Sequence, residues 1–239
     1  MPVREIGGCD VYQQGAVDVL AVTGVLAHTV CDDALFLRGG GHHLPARADA
    51  EGKGAAAVGQ VAGQLVGEQM AKDYPDGADI AILDFPSNES CVDRVNGFLD
   101  GLGDNKDKFN IVAQQDGEAA LDASMSLAED IITANTDLQA FFCINDPSAL
   151  GAAAAVKAAN KTGKIGVYSI DASPDGKQAL IDGEFTAVAC QVPVQIAEYA
   201  FNAAQKYVGG DTTIDEKKVY LDSHLVLKDE AEKTVNDWQ

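Results

Sequence analysis

Basic residues are scarce. Seventeen Lys and Arg stand against 37 Asp and Glu in 239 residues, a net charge of −20. Binding to phosphates needs a clustered Lys/Arg surface, so nucleic acid is excluded as a partner, and an anionic membrane face is disfavoured for the same reason. No stretch reaches the ~18 apolar residues of a membrane span, and direct membrane insertion is not expected. Cysteine is sparse and unpatterned: Cys9, Cys31, Cys91, Cys143 and Cys190 contain no C-x-x-C, so they make neither a disulfide framework nor a zinc ribbon. Cys143 and Cys190 sit inside apolar runs, where a thiol serves as a small core residue. The letters IGGC at 6–9 resemble a lipoprotein cleavage box, but no apolar segment precedes them, so no signal peptide is expected.

What is present is ordinary for a globular chain: 46% hydrophobic and 23% charged residues. The length suits one large or two modest domains at ~150 residues each, with core enough to dispense with disulfides. From about residue 54 a regular alternation begins. Val58, Val61, Ala62 and Leu65 have the spacing of a helix face over 54–72. Strands are expected at 79–85, 109–114, 140–145, 164–171 and 185–191. Helices are expected between and after them, at 92–102, 118–134, 148–159, 174–182 and 194–208. Asp116 is a candidate N-cap for the third helix, Asn145 and Asp146 are candidates for the fourth with Asp146 preferred, and Pro174 suits a first helical turn. Short strands alternating with longer helices indicate βαβ units and a mainly parallel sheet. A last strand at 218–227 leads into an acidic, polar tail. Residues 24–53 show no sustained period and are expected to pack poorly.

The strands share a way of ending. Asp84, Gln114, Asn145, Asp171 and Gln191 each close an apolar run. Open parallel sheets place ligands in the crevice outside their carboxyl ends, so this convergence marks a candidate site. Asp171 can accept from two adjacent hydroxyls, Asn145 and Gln191 can each donate and accept, and Arg94, early in the following helix, offers planar bidentate donation. Such a set suits a polyol, whose hydroxyls both donate and accept. It contains no activated nucleophile, histidine base or phosphate cradle, and no catalysis is expected.

Four runs carry a family resemblance: SCVDRVNGF at 90–98, NDPSALG at 145–151, YSIDASP at 168–174 and ACQ at 189–191, with ANTDLQ at 134–139 as a lead-in. In order and spacing they resemble the ribose/galactose-type periplasmic binding proteins of ABC transporters, over roughly 54–228. The resemblance implies an α/β, two-lobed fold with parallel sheets flanked by helices, closing on its ligand like a hinged trap. It implies an incomplete first-lobe segment at 1–53, a complete second lobe at 54–191, a return to the first lobe at 192–218, and a crossover strand and tail at 219–239. It further implies that Arg94, Asn145, Asp171 and Gln191 hold a monosaccharide or polyol, without cofactor, in a monomeric periplasmic or extracellular protein that serves a permease. Three departures accompany it. The family's opening strand and helix have no counterpart before Val17, KGAA at 53–56 replaces the usual Asp-Asn, and Ala119 and Ile170 stand where aromatic rings often sandwich the sugar.

Competing functions fare worse. Adjacent histidines on an extended chain point apart, so His42 and His43, with His28 and Cys31, do not form a metal site. The run GKGAAA at 52–57 matches a dinucleotide fingerprint by letter but follows no apolar strand. A glycosidase would need one carboxyl in an apolar pocket and another left wet, which nothing in the pattern provides. The effector-binding core of a sugar-responsive repressor shares the fold; no basic segment or helix-turn-helix precedes it here.

Overall fold

The computed structural model describes residues 56–210 and 223–237. The first elements are helix α1 (Ala56–Asp73), strand β1 (Asp79–Asp84), helix α2 (Glu89–Gly101), a 3-10 turn (Gly103–Lys108) and strand β2 (Asn110–Asp116). Next come α3 (Leu121–Ala134), β3 (Ala140–Cys143), α4 (Asp146–Ala158), β4 (Gly166–Asp171) and α5 (Pro174–Ile181). The described chain ends with β5 (Ala187–Cys190), α6 (Pro193–Val208), β6 (Leu225–Val226) and α7 (Lys228–Thr234). The strands form one sheet in the order β2-β1-β3-β4-β5-β6, parallel throughout except for β6, which runs antiparallel to β5. Parallel neighbours demand a crossover, and the helices supply it. The chain is thus the α/β fold with a mainly parallel, helix-flanked sheet that the alternation implied.

Strand alternation splits the core in two. Phe141 and Cys143 of β3 face one layer with Leu83, Val167 and Val188, beneath α3, α4 and α5. Ala140 and Phe142 face the other with Ile80, Ile82, Tyr168 and Ile170, beneath α1 and α2. Because both faces are covered, β3 and β5 read as unbroken apolar runs rather than as alternating ones. On the second face Phe98 of α2 stacks on Phe142, ring centroids 4.1 Å apart.

Several local expectations change. In α1 the buried face is Ala62, Val66 and Met70, while Val61 is exposed. The helix is turned by its glycines: a Cβ on Gly63 would lie 2.1 Å from the Arg94 carbonyl oxygen. One on Gly97 of α2 would lie 2.0 Å from that of Gln60. The two backbones therefore touch, which apolar periodicity cannot reveal. Helix α2 starts earlier than expected because the Asn88 side chain accepts from the amides of Ser90 and Cys91. Asp116 does not cap α3: it ends β2, and its carboxylate accepts from the Glu118 amide at 2.8 Å. That bond holds a turn in which Glu118 and Ala119 take φ of 55° and 53°. The polar tail contains α7, packed on α5, with buried Lys177 donating to the carbonyls of Thr234 and Asp237. Such donation completes the end of a helix whose last carbonyls lack partners.

The segment 1–53, in which the apolar run VDVLAVT at 17–23 could form a strand and which carries His28, Cys31, His42 and His43, lies outside the described residues, as does the first half of the expected strand at 218–227. Among the described residues no helix is long and apolar enough to cross a membrane.

Candidate functional site

Strand order reverses at β1, which has β2 on one side and β3 on the other. Two successive crossovers leave in opposite directions there, opening a crevice at the carboxyl ends of the strands. Arg94 comes from the helix after β1, Asn145 follows β3, Asp171 ends β4, and Gln191 follows β5. Asp171 pairs in register with Cys190, so Gln191 stands one residue beyond Asp171's neighbour.

Arg94 organises this edge. Its Nη1 donates to the Ile144 carbonyl at 2.7 Å and lies 3.4 Å from Asp171 Oδ1. The side chain thus spans from α2 across the end of β3 to β4. It is buried, at 4% exposure, packed beside Gly59 and Gly63 of α1. The close approach of α1 through its glycines covers the arginine stem, so the side chain belongs to the core as well as to this edge.

Asn145 caps α4. Its Oδ1 accepts from the Ser148 amide at 3.0 Å, and its Nδ2 donates to the Ala119 carbonyl at 3.1 Å. One lone pair and one N–H then remain for a ligand by the inventory of a carboxamide. Asp146, the expected cap, is instead the first helical residue, its side chain turned toward β4. Its Oδ1 accepts from Ser169 Oγ at 2.7 Å, and its Oδ2 accepts from Ser173 N at 2.8 Å and Ser173 Oγ at 2.6 Å. Burial pushes its carboxyl above the usual carboxylate range, against those hydrogen bonds and the nearby Arg94. Sequence reasoning missed this brace. The signal available was Ser169, a polar residue at an apolar position of β4, where a fully buried hydroxyl requires a partner.

Left-handed backbone gathers at the same edge: Asp171 and Ala172 take φ of 133° and 56°, and Val192 takes 47°. Such conformations persist in non-glycine residues only when their surroundings over-determine them, and they concentrate at ligand sites. Asp84 is buried and accepts from Gln114 Nε2 at 2.6 Å, so the ends of β1 and β2 are tied to each other. Of the two positions where rings were sought, Ala119 is half-buried at the edge. Ile170 is fully buried in the layer beneath α1 and α2 and does not face the crevice.

A second polar cluster was also missed. Cys190 Sγ lies 3.0 Å from His224 Nδ1, whose Nε2 lies 2.9 Å from Glu230 Oε1. The letters are those of a nucleophilic triad, but the thiol is buried and burial pushes its pKa up. An activated thiolate needs the opposite environment. The chain of contacts links β5, the approach to β6, and α7. Among the described residues no group of His, Cys, Asp and Glu is arranged to hold a metal ion.

Residues 46–212 match the periplasmic binding protein domain model. The ribose import binding protein of Salmonella typhimurium is 31% identical over 167 residues, 70% of this chain and 55% of that protein. The chain thus spans about half the length of this curated relative. Among solved structures, a galactofuranose binding protein superposes with a TM-score of 0.70 at 28% identity, covering 76% of this chain and 63% of that one. A Caulobacter myo-inositol binding protein bound to myo-inositol gives 0.67 at 28%, covering 74% and 60%.

Proposed function

This chain belongs to the periplasmic binding protein family, and from that premise we propose that it binds a monosaccharide or polyol as the receptor component of a sugar ABC transporter. The observation that carries the proposal is the meeting of Arg94 and Asp171 beside Asn145 at the switch point of the sheet. A guanidinium and a carboxylate held side by side offer fixed donors and acceptors to vicinal hydroxyls. Gln191 extends the set by one strand. Relatives include ribose and fructose import binding proteins, and the proposed role is likewise binding without chemistry. In this reading 54–191 is the second lobe, 192–218 returns to the first, and 219–239 holds a crossover strand and the tail. The protein acts as a monomer in the periplasm or outside the cell, handing its ligand to a permease.

A thermal-shift panel of D-ribose, D-allose, L-arabinose and myo-inositol tests the proposal. A ligand that binds the native state alone raises the melting temperature by mass action. At least one sugar or polyol should do so. Stabilisation by NAD or nucleotides, with none by any sugar or polyol, would overturn it.

A further inference from the structure

Asp146 stands outside the proposed ligand set, yet it grips the segment that presents Asp171. Its carboxylate takes Ser169 on one side of Asp171 and Ser173 on the other, and its own amide donates to Asp171 Oδ2 at 3.3 Å. Between these anchors lie the left-handed residues Asp171 and Ala172. Space is kept for the carboxylate: a Cβ on Gly176 would fall 2.2 Å from Asp146 Oδ2. A carboxylate is costly at 1% exposure, and its three accepted hydrogen bonds all serve the turn.

Resting on the binding function proposed above, we infer that Asp146 is a positioning residue: its ionised carboxylate clamps the 171–173 turn, aims the Asp171 carboxylate beside Arg94, and makes sugar affinity acid-sensitive. A proton on Asp146 converts one acceptor oxygen into a donor, so the hydroxyl of Ser169 or Ser173 must turn from donating to accepting, and the turn loses the stronger bonds that a charged acceptor gives. The charged and titratable groups around it are Arg94 from α2, Cys143 from β3, Asp171 from β4 and Lys177 from α5. Arg94 favours the ionised form, and burial, the larger influence, opposes it. Affinity is therefore present above the raised pKa of Asp146 and is lost as pH falls through it.

Stability has the other sign. Because the folded-state pKa is raised, the contribution of Asp146 to stability is full below its unfolded-state value. It is lost as pH rises through the folded value. Affinity and this part of the stability move in opposite directions over the same window, which a merely structural carboxylate would not produce.

The test is titration calorimetry of the full chain with D-ribose and myo-inositol, from neutral pH into the acid range, on wild type, Asp146→Asn and Ser169→Ala. Wild type should lose affinity in acid, and Asp146→Asn should be weaker by about tenfold or more at neutral pH with a flat profile. Ser169→Ala removes one hydrogen bond to the ionised form, so its acid midpoint should move to higher pH. It also carries the test should Asp146→Asn fail to fold. Wild-type affinity with a wild-type acid profile in Asp146→Asn, or an unmoved midpoint in Ser169→Ala, would overturn the inference. If wild type binds neither probe, the proposed function fails in respect of those sugars, and amide exchange on the ligand-free chain decides the clamp. The Ser173 and Asp146 amides should then lose protection in Asp146→Asn, and unchanged protection would overturn it.

Discussion

The two faces of the sheet position their candidate ligand residues by opposite means. On one, α1 and α2 meet backbone to backbone through Gly63 and Gly97, and Arg94 is set by the rigid contact of two helices. On the other, Asp171 is set by a short turn in left-handed backbone, held by side-chain hydrogen bonds to Asp146. Close packing is felt over the whole core when disturbed, whereas a clamped turn can be released while the core stays intact. The face of α1 and α2 should therefore link binding to stability, and the β4 turn should separate them.

The largest effect expected is at the glycine seam. Gly97→Val forces side-chain atoms into the Gln60 carbonyl, and overpacking of this kind should cost about 3 kcal/mol or more, read as a lowered denaturant midpoint. A midpoint within error of wild type would show that the helices can part freely and would dissolve the contrast. The next pair sharpens it. Arg94→Ala should lower both stability and sugar affinity, by about 1.5–3 kcal/mol each, since a buried charged donor to Ile144 is removed. Asp171→Asn, nearly isosteric and half-buried, should lower affinity by a similar ~1.5–3 kcal/mol with far less change in the unfolding midpoint. Calorimetry beside urea unfolding would check the pair, and equal stability losses would erase the distinction. The smallest effect is at the exposed turn after β2. Glu118→Gly relieves a φ of 55° and should stabilise by about 0.5–1 kcal/mol without altering affinity. A loss of affinity there would mean that this turn shares the work of the clamped one.

The comparison also explains which features could be read in advance. Parallel order, the two-layer core and the polar strand ends were legible because a strand buried on both faces must be an unbroken apolar run, as AVAC in β5 is. Asn145, Asp171 and Gln191 could be placed at one edge of the sheet because each directly ends such a run. The burial of Arg94 could not be read in this way, because it depends on glycines of another helix. Asp146 was misassigned as a cap: Asn145 and Asp146 are equally good caps by type, and only the position of Ser169 and Ser173 across β4 decides between them. The Cys190, His224 and Glu230 contacts join residues 34 and 6 positions apart, and no local period links them.

The sequence by itself determined the alternation of strands and helices, and the polar residue types that gather at the carboxyl edge of the sheet, since burial and periodicity act along the chain. The tertiary structure alone decided how far Arg94 is buried, which of Asn145 and Asp146 caps α4, and how Asp171 is aimed. Those outcomes depend on atoms far apart in sequence that come within hydrogen-bond or van der Waals range only when the helices have packed on the sheet.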